Sequence, residues 1–280
     1  MMGKYLLQEI KSGWRVPSIF AVVSVCLTVV AAVEMYFLIN SDIMYEAPGV
    51  IQTVLILFQV MYFGFLVIAN LIVLYYIPVR FYRQSYSDVG YLTHSLPVSK
   101  PAILGAHVLS GALWMLVMFA VDVFAFFLIG SGVGGAEFLR SMFEFVFGAL
   151  WRELRSFVRV AGAPSVLLML IGILAAVVSP FVTALQSCCA VSLGQMFEKH
   201  RVAGAVLMYF VLNFIVGLVN QTVFGVFTVF GDYRAAYNRP QQMVWYLIVG
   251  GAILLLIQIV ECVVFFLISV NRMTKKLNLE

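Results

Sequence analysis

The sequence predicts an all-α membrane protein with six transmembrane helices, an amphipathic helix at the N-terminus and a short surface helix between the second and third spans. Three observations predict it. Hydrophobic residues fill 63% of the 280 positions and charged residues only 11%, with a mean hydropathy of +1.04. A soluble core of this size has no use for so much apolar surface. The apolar residues gather into six runs of about 20 residues or more, each long enough to cross about 30 Å of hydrocarbon. Lys and Arg gather between these runs, with a bias toward one side.

The chain opens on a segment, 3–15, in which Leu6, Ile10 and Trp14 fall on one helical face and Lys4, Gln8, Lys11 and Arg15 on the other. That pattern is an interfacial helix leading into the first span. It is not a signal peptide, because about fifteen mixed polar residues precede an apolar run too long for an h-region. The weak cleavage-like string Ala31-Ala32-Val33 is read as retained. The spans run over approximately 17–40, 50–77, 102–130, 164–190, 202–230 and 244–270. Ser179-Pro180 is expected to kink the fourth.

Between the second and third spans lies the longest polar interruption, 80–100. There Ser87 and Asp88 are placed to cap a helix start, Pro97 to stop that helix and Ser99 to cap the next. After the third span, Ser131-Gly132-Val133-Gly134-Gly135 reads as a flexible lead into an outer amphipathic segment, 138–160. In that segment Leu139, Phe143, Val146, Leu150, Leu154 and Phe157 oppose Ser141, Glu144, Gly148, Arg152, Arg155 and Arg159. It is expected to cap the bundle, or to serve as an outer gate or subunit contact. No internal repeat or low-complexity tract divides the chain, so 1–280 reads as one membrane domain.

Orientation follows from the basic residues. With the N-terminus inside, the cytosolic side holds Lys4, Lys11, Arg15, Arg80, Arg83, Lys100, Lys199, Arg201, Arg272, Lys275 and Lys276, and the outer side holds Arg140, Arg152, Arg155, Arg159, Arg234 and Arg239. The bias places both termini in the cytoplasm. The net charge of +4 is ordinary for such a protein and is no nucleic-acid signal.

Few residues suggest chemistry within the chain itself. No nucleophile–base pair, metal cluster or catalytic residue is visible. Without GxxxxGK[ST] the chain has no ATPase motif of its own. Cys26, Cys188, Cys189 and Cys262 lie in apolar runs without CxxC spacing and read as small buried hydrophobes. His94, His107 and His200 lie near the cytosolic ends of spans and read as interface residues.

Three acids fall inside spans: Glu34, Asp122 and Glu261. A carboxylate there is costly and marks a structural, cavity-facing or proton-coupling role. Two spans carry amides along one face. Gln52, Gln59 and Asn70 align on the second, with Phe63 between them. Asn213, Gly217, Asn220, Gln221, Phe224 and Thr228 cluster on the fifth. Lipid tolerates an amide face poorly, so both are expected to point inward, as interhelical hydrogen bonds or as the lining of a path for an amphipathic substrate.

The run Ser87-Asp88-Val89-Gly90-Tyr91-Leu92-Thr93, followed by Ser95-Leu96-Pro97-Val98-Ser99, resembles the stretch between the second and third spans of ABC-2-type permease subunits of bacterial ABC exporters, especially those of Firmicutes. That stretch has an acid-Gly-Tyr-Leu-Thr run and then Leu-Pro-Val-Ser. The family tends to carry its acid directly before the glycine, where this chain has Val89 and, one position earlier, Asp88. The six-span layout and the N-terminal helix extend the likeness along the chain.

The resemblance implies a bacterial plasma-membrane exporter built of two permeases, a second copy or a homologous chain, and two P-loop ATP-binding subunits. ATP and Mg would be held by those partners and no cofactor by this chain. Segment 80–100 would contain a cytosolic coupling helix, with Asp88, Gly90, Tyr91, Leu92, Thr93 and His94 at the ATPase contact. Plausible cargo is a hydrophobic or amphipathic peptide, antibiotic or lipid. A different class, a proton- or ion-coupled carrier, would use Asp122 and Glu261, but shows no inverted repeat. A third is a non-transporting anchor or sensor subunit.

Overall fold

A backbone in hydrocarbon must satisfy its own hydrogen bonds, so an apolar run of spanning length becomes a helix. The computed structural model describes residues 2–40, 49–95, 97–143, 164–197, 199–230 and 240–275, and among these no strand occurs. The helices are α1 (Met2–Gly13), α2 (Arg15–Asn40), α3 (Gly49–Ser85), α4 (Asp88–Ser95), α5 (Lys100–Phe143), α6 (Pro164–Gly194), α7 (Arg201–Phe230) and α8 (Pro240–Lys275). Six of them, α2, α3 and α5 to α8, are long and apolar enough to cross a membrane. Among the described residues the chain is therefore all-α, with six candidate spans.

Several boundaries differ from those the sequence predicts. Helix α1 stops at Gly13, so Trp14 lies outside it. Helix α3 continues through Pro78 to Ser85, which takes Arg80 out of the polar interruption and into the span helix. Helix α5 runs unbroken through Ser131–Gly135 to Phe143, where a flexible lead was expected. In an apolar setting each break in a helix strands backbone donors and acceptors, and that outweighs the weak helix propensity of three glycines. The rest of the predicted outer segment, 144–160, lies outside the described residues. Helix α6 passes through Pro180, with the Thr183 hydroxyl donating to Ser179 O at 3.0 Å.

The chain divides into two units, Met1–Ile10 with Ile77–Ala112 and Arg155–Glu280, and Lys11–Tyr76 with Leu113–Leu154. In the second unit α2 presents Ala21, Ser24, Thr28 and Ala31, all buried, at helical spacing. Such small residues let helices approach closely. Ala21 packs with Ala69 and Val73 of α3 and Met118 of α5. Farther along, Ala31 packs with Tyr62 and Ile129. The Tyr62 and Thr28 hydroxyls share a buried hydrogen bond of 2.8 Å, and Thr28 donates on to Ser24 O at 2.6 Å.

In the first unit α6 packs against both α7 and α8, and Ile171 joins Val244 and Ile248 in one cluster. The α6–α7 turn depends on two glycines. A Cβ on Gly194 would strike the Ala205 backbone, and one on Gly204 would strike the Phe197 ring. The last turns of α6 are the densest part: Ala184 to Ser192 are all buried, and Tyr86 donates to Ser192 Oγ at 3.1 Å. Burial pushes the Tyr86 phenol up to about 12, so it serves as a neutral donor. Lys100 Nζ donates to Met273 O at 2.7 Å, joining the start of α5 to the end of α8. Cys188 and Cys189 belong to this core, as expected of small hydrophobes. Cys26 on α2 is exposed and Cys262 on α8 half-buried, so the expected burial does not hold for these two.

Candidate functional site

Three constellations stand out: a buried ion cluster at α1, two carboxylate–amide pairs within spans, and the surface helix α4.

The ion cluster is assembled from residues far apart in sequence. Glu9 on α1 is 4% exposed and meets two bases, Arg80 Nη2 at 2.9 Å and His107 Nδ1 at 2.9 Å. Arg80 also donates to the Glu9 backbone oxygen at 2.7 Å. His107 Nε2 faces Ile77 O at 3.0 Å, and the Phe81 ring lies 5.2 Å from the imidazole. A carbonyl oxygen accepts only, so Nε2 carries a hydrogen. Burial alone would raise the Glu9 carboxyl. The His107 hydrogen bond, then the charges of His107 and Arg80, then the Gln84 hydrogen bond together outweigh it and hold the group below its usual range. Burial, followed by the Glu9 charge, pushes the neighbouring Tyr5 phenol up to about 12.

This cluster corrects the reading of His107 as an interface residue, and Glu9 is a functional candidate that residue type and spacing did not suggest. One signal was available. Glu9 is the lone acid among the first fifteen residues, while His107 lies inside a predicted span and needs a polar partner there.

Within the spans, the predicted acids and amides meet pairwise. Asn70 Nδ2 on α3 donates to both Asp122 carboxylate oxygens on α5, at 3.1 and 3.0 Å, and to Leu66 O at 3.0 Å. Asn220 Nδ2 on α7 donates to Glu261 Oε1 on α8 at 3.2 Å. The two residue classes that the sequence suggested separately, substrate-path amides and intramembrane acids, are thus partners. Glu34 has no such amide: its carboxylate oxygens are buried without a hydrogen-bond partner among the described residues, as is the amide of Gln59. Gln52 is half-buried on α3.

The expected inward orientation holds only in part for α7. Asn220 is half-buried, but Asn213, Gln221 and Phe224 are exposed on this chain, and the Asn213 amide turns back to Tyr209 O at 3.0 Å. Helix α7 also exposes Val206, Phe210, Phe214 and Leu218. A hydrophobic helix with this much exposed apolar surface meets lipid or another chain.

Asp122 and Asn70 line a cavity of about 580 Å³ with Phe63, Leu66, Val67, Leu71, Leu74, Met115 and Met118. A second cavity, also about 580 Å³, takes in Phe63, Leu66 and Asp122 and continues past Ala125 and Phe126 to Ile129 and Gly130. Among the described residues Asp122 is the one charged residue on either wall.

Helix α4 is a separate eight-residue element. Its first turn closes with the Gly90 amide donating to Ser87 O at 2.7 Å. The Ser87 hydroxyl donates back to Arg83 O in the last turn of α3. Ser99 lies at the N-cap position of α5, its carbonyl accepting from the Ala102 and Ile103 amides at 2.9 and 3.1 Å. Gly90 is buried and Thr93 half-buried, whereas Tyr91 is 70% exposed. The side chains of Asp88, Leu92 and His94 lie outside the described residues. Among the described residues no group of three His, Cys, Asp or Glu could hold a metal ion.

In comparisons with known proteins, no family model, no curated sequence and no solved structure matches the chain.

Proposed function

We propose that this chain is the membrane-spanning permease subunit of a bacterial ABC exporter, moving a hydrophobic or amphipathic substrate with ATP hydrolysed on a separate P-loop subunit. The observation that carries the reading is α4. A short, separately formed helix links two long span helices and offers an exposed aromatic beside a buried glycine. An aromatic anchor flanked by a residue that permits close approach suits docking into a protein pocket. The residues between Ser87 and Ser99 that resemble the ABC-2 stretch supply the identity of the partner. The Lys and Arg bias supports a cytoplasmic position for α4 and for both termini, in the plasma membrane. The exposed amides and apolar residues of α7 leave room for a second permease.

Tyr91→Ala tests the docking role. It is expected to release the ATPase or to uncouple its hydrolysis from transport while the permease still folds. Unchanged assembly and flux would remove α4 from the interface. A proton-coupled carrier is the second reading, favoured by the pairing of Asp122 with Asn70 and of Glu261 with Asn220. Flux abolished by an uncoupler, yet indifferent to ATP depletion, would select it.

A further inference from the structure

We propose that the α3–α5 cavity is a binding site for an amphipathic monocation, with Asp122 as its counter-ion. Asp122 receives two hydrogen bonds from Asn70, and among the described residues no Lys, Arg or His lies within ion-pair distance of it. An amide is a neutral donor. It orients a carboxylate but leaves its charge uncompensated, and inside a membrane such a charge calls for a cation.

Shape narrows the choice. The cavity walls are Phe63, Leu66, Val67, Leu71, Leu74, Met115 and Met118, all apolar. Methionines adapt their shape to differing ligands. Acyl chains of ordinary lipid would fill such walls and leave the carboxylate unanswered, and a small hydrated cation would answer the carboxylate and leave the walls wet. A cation with an apolar body satisfies both.

Position adds a route. Asp122 sits eight residues before Gly130, about 12 Å of helix, and the second cavity lines that distance with Phe126 and Ile129. Asn70 keeps the carboxylate turned toward both cavities.

The inference names a substrate class for the proposed exporter and depends on that reading for its physiological meaning. Binding itself is measured on the permease alone, without ATPase or nucleotide, so the two can fail separately. The probe is tetraphenylphosphonium, compared with tetraphenylborate, an anion of nearly the same size and shape. Each is titrated by equilibrium dialysis against the full chain in phosphatidylcholine nanodiscs, with empty nanodiscs subtracted.

Saturable binding of the cation and none of the anion is expected. Asp122→Asn should weaken cation binding by about tenfold or more, the effect of losing about 1.4 kcal/mol, and Asp122→Glu should restore most of it. Leu71→Trp, which fills the cavity and keeps the carboxylate, should also abolish binding. It therefore serves if Asp122→Asn does not fold. Equal affinity for both ions, or cation binding untouched by Asp122→Asn and Leu71→Trp, would overturn the proposal. In that case Asp122 is answered by a proton and the cavity by lipid.

Discussion

Glu9 and Asp122 are both carboxylates among apolar helices, and they differ in what answers the charge. Glu9 has two bases at 2.9 Å and is almost wholly enclosed. Asp122 has one neutral amide and the walls of two cavities. A closed ion cluster has nothing left to offer a ligand, so it fixes structure: Glu9 binds α1 to the end of α3 and the start of α5. An incompletely answered carboxylate beside open volume is a site. The same side-chain chemistry thus yields a clamp in one unit and a receptor in the other.

The largest expected effect breaks the clamp. Glu9→Ala leaves Arg80 and His107 buried without their counter-charge, which costs about 3–5 kcal/mol. Thermal unfolding in detergent should show a large loss, and α1 should become accessible to protease. An unchanged melting curve would mean that the cluster is not enclosed as described. Next in size is Gly194→Val, whose added side chain meets the Ala205 backbone and should cost about 1–3 kcal/mol by the overpacking it forces. That variant tests α6–α7 packing independently of charge.

The smallest stability effect is expected on the receptor side. Asp122→Asn removes a charge that no cation answers, so folding should change by less than about 1 kcal/mol, in either direction. A loss as large as that of Glu9→Ala would make the two acids equivalent and end the comparison.

Acid sharpens the contrast further. The Glu9 carboxyl is held below its unfolded value, so its contribution is present above the ordinary carboxylate range and is lost as pH falls through the folded value. Stability measured from neutral pH downward should fall below about pH 4.5, and in Glu9→Gln this acid-dependent loss should be reduced.

The six spans were legible because their signal is local: a run of about 20 apolar residues declares itself. The start of α5 was equally legible, since Ser99 lies at its cap and Pro101 in its first turn. The end of α3 was not, because Arg80 and Arg83 look like loop cations until Glu9 is brought to Arg80 from 71 residues away. Nor was the Glu9–His107 contact, made across 98 residues. On a helical wheel of about 100° per residue Glu9 falls about 60° from Leu6 and about 100° or more from Lys4, Gln8 and Lys11, so it belongs clearly to neither face of the predicted helix. The candidate amides and acids were found by residue type, but their pairing was not, since Asn70–Asp122 and Asn220–Glu261 depend on how antiparallel helices register. Where α7 would show its amides was misjudged in part. The rule that lipid rejects amides concerns the assembled protein, and this chain alone leaves Asn213 and Gln221 exposed.

The most direct test of the proposed function is to purify the native complex from membranes in mild detergent, identify its subunits by mass spectrometry and assay ATP hydrolysis. The account predicts a co-purifying P-loop subunit with ATPase activity, lost from the complex or uncoupled in Tyr91→Ala. A chain that purifies alone and without ATPase activity would contradict it.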